Sequence, residues 1–482
     1  MIPDLLSAQA HSLGHRPFIH TEHESFSFAT LDRLVSEDAA RLRVLGLQPS
    51  DVLAILLPND IAFVRLFFAV KRLGLTALLL NTRLSKREIT EQLITAQARV
   101  VFSDERFSDK LEPNIPKLNI HHFLQEALPA GQAPIRGDEL PLDQALIIMF
   151  SSGTTGKAKG VVLTLGSLYY NALGTGYRLG VHGDDLWLCC LPLYHVGGLG
   201  IVFRSCLYGT QVLLRSRFDS ERVHEDIVTK PISLISLVPT MLHRLMPLGP
   251  DTWNSRLRAA IMGGSAMPED LLEQSRDLEL PIVTTYGLSE AASQVSTSFP
   301  NDGYRKPGSS GQPLLFTQVK VVDGEHRPLA PHEVGEIVIK GKSLMKGYLA
   351  SEVRQTVDGY FLTGDIGYMD EEGYVFVLER RKDLILSGGE NIYPREIEDI
   401  LRQHPAIDEA VVLGIPHPEW GQQVAATLKL NPYSPQTIPS DIDSFCQQHL
   451  ASYKRPRRYQ IVDSFPTTAS GKIKRFELTG LF

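Results

Sequence analysis

Between Phe150 and Gly160 the chain reads Phe-Ser-Ser-Gly-Thr-Thr-Gly-Lys-Ala-Lys-Gly, with three glycines, four hydroxyls and two lysines behind the apolar run Leu146 to Phe150. Glycines let backbone N–H groups approach an anion closely, hydroxyls add neutral donors, and lysines supply mobile positive charge. Such a loop suits phosphates, so nucleotide chemistry is the first expectation. The Walker A pattern would need a glycine five residues before the Gly-Lys pair and a Ser or Thr after it. Those places hold Ser151 and Ala158, which disfavours a P-loop ATPase or kinase. A flexible surface loop is the plain alternative for this segment taken alone.

Other segments supply complementary chemistry. Tyr286-Gly-Leu-Ser-Glu290 follows the apolar stretch Pro281 to Thr285 and offers an aromatic ring, a hydroxyl and a hard carboxylate suited to magnesium. Met262-Gly-Gly-Ser-Ala266 follows Leu257 to Ile261, and its small residues would let a flat base lie against backbone. The carboxylate in Thr363-Gly-Asp365 could accept hydrogen bonds from two hydroxyls. Near the end comes Pro466-Thr-Thr-Ala-Ser-Gly-Lys472-Ile-Lys-Arg475, a basic cluster of the kind that usually forms a solvated face, as do Lys454, Arg455, Arg457 and Arg458.

In this order the segments resemble the signatures of the adenylate-forming enzymes, which include acyl- and aryl-CoA synthetases, luciferases and the adenylation domains of peptide synthetases. The resemblance runs over nearly the whole chain. It implies that Ser151, Ser152, Gly153, Thr154, Thr155, Gly156 and Lys157 grip the β- and γ-phosphates of ATP. It further implies that Gly263, Gly264, Ser265, Ala266, Thr285, Tyr286 and Gly287 surround adenine, with Tyr286 packed on the base. Ser289, where the family usually has threonine, would touch the α-phosphate, and Glu290 would hold Mg2+. Asp365 and Arg380 would contact ribose, and Lys382, where many relatives have Asp, would be the hinge. Ser387, Gly388 and Gly389 would line the tunnel for the CoA thiol, and Lys472 would enter the active site during adenylation. A lysine there neutralises charge on the carboxylate and α-phosphate and needs no proton transfer.

Three less regular segments look like the o-succinylbenzoate:CoA ligases of menaquinone and phylloquinone synthesis: Leu79 to Ser85, Leu191 to Gly198, and Val238 to Leu242. An acid with two carboxylates and an aromatic ring needs flat apolar walls and one cation beyond those used on ATP. Arg204, alone in the apolar run Leu199 to Leu207, is the candidate for the distal carboxylate, with Thr240, Ser289 and Ser293 as further donors. A lone Arg there is otherwise an interface or snorkelling residue. His195 and Gly198 fall where the family gates its acyl tunnel, and His195 is not needed as a base because a carboxylate substrate arrives ionised. The implied reaction is a two-step ligation through acyl-AMP with ATP and CoA as co-substrates. Another aryl- or medium-chain acyl-CoA synthetase, an acyl-AMP ligase loading a carrier protein, and a nucleotide-binding regulator without catalysis are the competing readings.

To position these groups the chain needs strand ends. Apolar runs alternate with amphipathic stretches, giving strand candidates at Val52 to Leu57, Leu186 to Leu191, Ile232 to Val238 and Pro281 to Thr285. Ligands in such α/β folds gather at the carboxyl ends of strands. From about 318 to 378 short β-branched strands with glycine turns replace that texture and read as a small β-barrel-like subdomain. Arg380-Arg-Lys-Asp383 then breaks the pattern, so the expected division is a large N-terminal α/β domain over 1–381 and a small mobile α+β domain over 382–482. Pro394 is expected at a helix start.

The 482 residues exceed one ordinary core, and 43% hydrophobic with 21% charged residues is the composition of a globular enzyme. A net charge of -7 leaves no basic field for nucleic acid. The start lacks a cationic region followed by an apolar core, and Ala62 to Val70 carries Arg65, so neither a secretory signal nor a membrane span is expected. A cytoplasmic location follows, in which Cys189, Cys190, Cys206 and Cys446 read as core thiols without metal spacing. A homo-oligomer is left open.

Overall fold

The computed structural model describes residues 1–128, 131–151, 158–249, 252–300, 302–349, 353, 355–356, 358–379, 384–431, 439–466, 473 and 475–482. Of the expected site residues, Ser152 to Lys157, Arg380, Lys382 and Lys472 lie outside them, as does the side chain of Ser151.

Two long helices are apolar on nearly every face. Ile61–Arg72 reads IAFVRLFFAVKR and buries ten of its residues from Ala62 onward, and Val196–Tyr208 reads VGGLGIVFRSCLY and is buried from Gly198 through Cys206. A helix without a polar face must be covered all round. Here two sheets cover them, and the largest hydrophobic cluster joins Phe63, Phe67, Leu199 and Phe203 to Leu53 and Ile55 of one sheet and to Trp187 and Val212 of the other. The charges that end the first helix are neutralised in place, with Arg72 Nη2 2.6 Å from Asp32 Oδ1 and Lys71 Nζ 3.3 Å from Asp4 Oδ2.

The seven-stranded sheet runs, in spatial order, Gly347–Tyr348, Lys159–Thr164, Ala145–Ser151, Thr76–Leu79, Val52–Leu56, Val100–Ser103 and Lys117–Asn119. The nine-stranded sheet carries Ser293–Thr297, Ile282–Leu288, Ala259–Met262, Leu234–Leu237 and Leu186–Cys189 side by side. Its last four strands in that series pair in parallel, so their carboxyl ends point one way. Helices Ser220–Thr229, Pro239–Leu245 and Glu269–Asp277 cover its far face. Helix Lys86–Thr95 covers the far face of the other sheet.

Thr317–Val322, Gly335–Gly341, Phe361–Met369 and Val375–Glu379 make a four-stranded antiparallel sheet where the small β subdomain was expected. The final unit has a five-stranded sheet around the long hairpin Ile407–His417 and Gly421–Leu430, with its own core of Ile397, Leu401, Val412 and Ala426. Its helix Pro394–Leu401 begins at the proline, as the sequence predicts. No helix among the described residues is long and apolar enough to cross a membrane, and all four cysteines are buried free thiols.

Candidate active site

A cavity of about 360 Å3 opens at the carboxyl ends of the parallel strands, where Leu79, Leu237, Gly263 and Thr285 line it. The small C-terminal unit closes its mouth with Gly388, Gly389, Glu390, Tyr453 and Lys454.

On the nucleotide side, strand Ile282–Leu288 does not stop at Thr285 but continues through Tyr286, Gly287 and Leu288 as it pairs with Ser293–Thr297. Gly287 is obligatory there, because an added Cβ would lie 1.8 Å from the carbonyl oxygen of Ser293. Tyr286, 2% exposed, donates its hydroxyl to Asp365 Oδ2 at 2.5 Å. Asp365 is in turn fixed by its own N–H on Thr363 Oγ1 at 3.0 Å. The expected adenine and ribose residues are thus brought into one hydrogen-bonded pair. Gly263 and Gly264 line the cavity beside Thr285, and Ser265 and Ala266 are not among its lining residues.

Ser289, Glu290 and Ala291 form a single 3-10 turn directly after the strand. Ser289 faces the cavity. Glu290 is buried, its Oε1 accepting from the Tyr348 hydroxyl at 2.8 Å and its backbone oxygen from Met345 N–H at 2.7 Å. Among the described residues no group of three His, Cys, Asp or Glu side chains could cage a metal. A lone carboxylate fits Mg2+, which is commonly held by one or two carboxylates together with substrate phosphates.

The acid side is deeper. Arg204 is 4% exposed on its helix, yet it lines the cavity and faces no carboxylate among the described residues. Among the described residues its hydrogen-bond partner is the amide oxygen of Asn171, 2.7 Å from Nη2. Burial lowers the pKa of Arg204 from its ordinary value, and a guanidinium remains charged at neutral pH all the same. Ser293, Leu237, Val238 and Met241 complete the wall. Thr240 does not belong to it. Helix Pro239–Leu245 starts one residue before Thr240, and the cavity is lined by Val238, which precedes the helix, and by Met241. Gly198 packs tightly, since a Cβ there would meet the carbonyl oxygen of Pro192 at 2.2 Å.

The thiol side is formed by both units. Gly388 and Gly389 adopt φ values of 58° and 85°, and the second lies against Val238. Ser387 stays in its strand, paired with Glu390 and Gly421, and does not reach the cavity. Glu390, 8% exposed, accepts from Arg83 Nη1 at 3.2 Å and sits 3.4 Å from His195 Nε2. Burial alone would raise its pKa, but His195, Arg83 and Lys454 together hold it below the ordinary carboxylate value.

Lys454 departs from the solvated face expected of it. It is 4% exposed and lies 2.7 Å from both Glu88 Oε1 and Glu396 Oε1. Sequence reasoning also left Asn171, Glu390, Tyr348 and Arg83 without a role. Glu390 had a signal, its place beside the glycine pair, and Arg83 lay in the segment Leu79 to Ser85; Asn171 and Tyr348 had none.

This fold and site are those of an adenylate-forming enzyme, and the comparisons agree. Residues 6–349 match the model for AMP-binding enzymes and residues 396–472 that for the AMP-binding enzyme C-terminal domain. The chain belongs to the AMP-binding enzyme family. It is 37% identical, over 100% of its length and 98% of the relative's, to a 2-succinylbenzoate–CoA ligase of Bacillus cereus. Among solved structures it is similar to the o-succinylbenzoate CoA synthetase of Bacillus subtilis, at 34% identity with 99% of this chain and 98% of that one covered. The TM-score is 0.93 for a doubly substituted form bound with the product analogue OSB-NCoA. It is 0.76 for the complex with the acyl-adenylate OSB-AMP.

Proposed function

We propose that the chain is an ATP-dependent ligase that converts 2-succinylbenzoate to its CoA thioester through an acyl-AMP intermediate. The observation that carries the substrate is Arg204, a buried cation whose only described partner is a neutral amide, facing a cavity walled by Leu237, Val238 and Met241. Burying a charge without a counter-charge is costly. A second carboxylate on the substrate would remove that cost, and a fatty acid would not. The full-length likeness to 2-succinylbenzoate–CoA ligases supports the same acid.

In the first step Ser289 and the loop Ser151 to Lys157 hold the phosphates, Glu290 holds Mg2+, and Asp365 with Tyr286 fixes the nucleoside. Magnesium supplies charge neutralisation on the phosphates. The carboxylate attacks the α-phosphorus, pyrophosphate leaves, and Lys472 offsets the charge that builds on both reactants. In the second step the CoA thiol enters past Gly388 and Gly389 and displaces AMP. The higher score against the product-analogue complex supports reading the present arrangement, with the C-terminal unit over the mouth, as the thioester-forming one. Rotation about Lys382 would restore the adenylating arrangement. A cytoplasmic location fits the use of ATP and CoA.

The test is a panel of carboxylic acids in a pyrophosphate-release assay, followed by thioester detection with CoA. Turnover with 2-succinylbenzoate well above benzoate, cinnamate and octanoate is expected. Preference for a monoacid overturns the assignment.

A further inference from the structure

Asn171 lies on helix Leu165–Leu179, 2% exposed, and three hydrogen bonds leave its amide one orientation. Nδ2 donates to the carbonyl oxygens of Ala291 at 3.2 Å and Gln294 at 2.8 Å, while Oδ1 accepts from Arg204 Nη2 at 2.7 Å. Turned over, the NH2 would face a guanidinium and the oxygen would face two carbonyls. The two carbonyls bracket Ala292 and Ser293, whose φ values of 56° and 105° are unusual for residues with a Cβ. Thr175, one turn along the helix, places its hydroxyl within hydrogen-bond distance of Gln294 Oε1 and of the backbone oxygen of Asn171. One buried amide therefore ties the cavity's cation to the turn that presents Ser293.

We propose that Asn171 is the positioning residue for recognition of the second carboxylate, holding the Arg204 guanidinium in a fixed place relative to Ser293. The inference rests on reading the cavity as the site of an aromatic diacid. An amide is suited to this task and an acid is not. It anchors the guanidinium through an oxygen without cancelling its charge, so the full positive charge is left for the substrate. An aspartate would satisfy the guanidinium itself and present the turn with two repelled carbonyls.

Asn171→Leu removes all three hydrogen bonds at similar volume, and Asn171→Asp keeps the acceptor but adds a charge. For both, the Michaelis constants of the diacid and of ATP are measured, alone and in an Arg204→Met background, with 2-succinylbenzoate as the diacid. Each single variant is expected to raise the diacid constant at least tenfold with the ATP constant changed less than threefold. Asn171→Leu is expected to add less than twofold once Arg204 is gone, because coupled residues are non-additive. An unchanged diacid constant, an equal rise in both backgrounds, or an ATP constant that rises in parallel overturns the proposal. If the wild type fails to use the diacid at all, the functional reading falls first and this inference falls with it.

Discussion

Lys454 of the C-terminal unit lies 2.7 Å from Glu88 Oε1 of the N-terminal unit, both side chains buried where the two units meet. Glu88 serves two purposes at once. Its other oxygen accepts from Ser85 N–H at 2.7 Å in the capping box that starts helix Lys86–Thr95, and Glu396 supplies Lys454 with a second carboxylate at 2.7 Å. Burial opposes the charge on Lys454, yet the two glutamates outweigh it and hold the ammonium well above its ordinary pKa.

Removing one partner of a buried ion pair costs about 3–5 kcal/mol. Glu396 stays in place when Glu88 is changed, so the loss falls below that range. Glu88→Gln, which retains an oxygen for the capping box, is expected to slow thioester formation from presynthesised acyl-AMP at least tenfold, or about 1.4 kcal/mol. Adenylate formation should stay within twofold, because the proposed mechanism runs it in the other arrangement of the units. Single-turnover measurement of each half-reaction decides this, and equal slowing of both would sink it.

Glu390 gives the closed arrangement a pH dependence of known sign. Burial raises its pKa, but His195, Arg83 and Lys454 prevail and hold it below the ordinary value. A carboxylate depressed in the docked state contributes docking stability that is complete above its undocked pKa, about 4.3–4.5, and lost as pH falls through the docked value. The difference in docked fraction between wild type and Glu390→Gln is followed by fluorescence transfer between labels on the two units from about pH 5.5 downward, where histidine is protonated. It should shrink below pH 4.5. A difference that grows on acidification would contradict the assigned direction.

Much of this architecture was legible in the residues, and the departures have physical causes. The strands at Val52, Leu186, Ile232 and Pro281 all exist, but three stop early, at Leu56, Cys189 and Leu237. Pro58, Pro192 and Pro239 follow within three residues, and a proline lacks the N–H that continues a ladder. Tyr286 was expected just beyond the strand Pro281 to Thr285 and lies within it, because Ser293–Thr297 returns alongside and the glycine at 287 permits the close crossing. The contacts that seat the C-terminal unit were not legible. Glu390 with Arg83 and Lys454 with Glu88 join common charged residues more than 300 positions apart in the chain, and no local pattern tells which distant residue each will meet.

Arg204→Ala leaves Asn171 Oδ1 without this donor and removes a buried cation from the acid side of the cavity. Losing a charge-assisted hydrogen bond to a carboxylate costs about 1.5–3 kcal/mol, so the Michaelis constant for the diacid should rise roughly 10- to 150-fold. The fall in selectivity should be specific. A monoacid of similar size should be used no worse than before, and an unchanged constant for the diacid would remove Arg204 from substrate recognition.

Gly287→Ala tests the close crossing beside the nucleotide. Its Cβ would lie 1.8 Å from the Ser293 carbonyl oxygen and 2.6 Å from the carbonyl carbon, both backbone, so strand Ser293–Thr297 must move. Displacing that strand shifts Ser289 and Glu290 on one side and Ser293 on the other. A misplacement of about 1 Å costs about 100-fold, and adenylate formation should fall by at least that factor. Retention of full activity would show that the crossing is not required.

Lys472→Ala tests the proposed separation of the two half-reactions from the opposite direction to Glu88→Gln. Lys472 lies outside the described residues, and the role proposed for it rests on the Gly-Lys signature near the C-terminus. Adenylation builds negative charge where the carboxylate meets the α-phosphate, and a lysine at that point stabilises the transition state by charge alone. Thioester formation displaces AMP from a preformed adenylate, and in the present arrangement Gly388, Gly389, Glu390 and Lys454 are among the C-terminal residues at the cavity. Lys472→Ala is therefore expected to abolish acyl-AMP formation while leaving the second half-reaction from presynthesised adenylate within about threefold of wild type, since the charge it stabilises belongs to the first step alone. Combined with Glu88→Gln, which should show the reverse pattern, the pair assigns one lysine and one glutamate to different arrangements of the same two units. Loss of both half-reactions in Lys472→Ala would refute the division of labour.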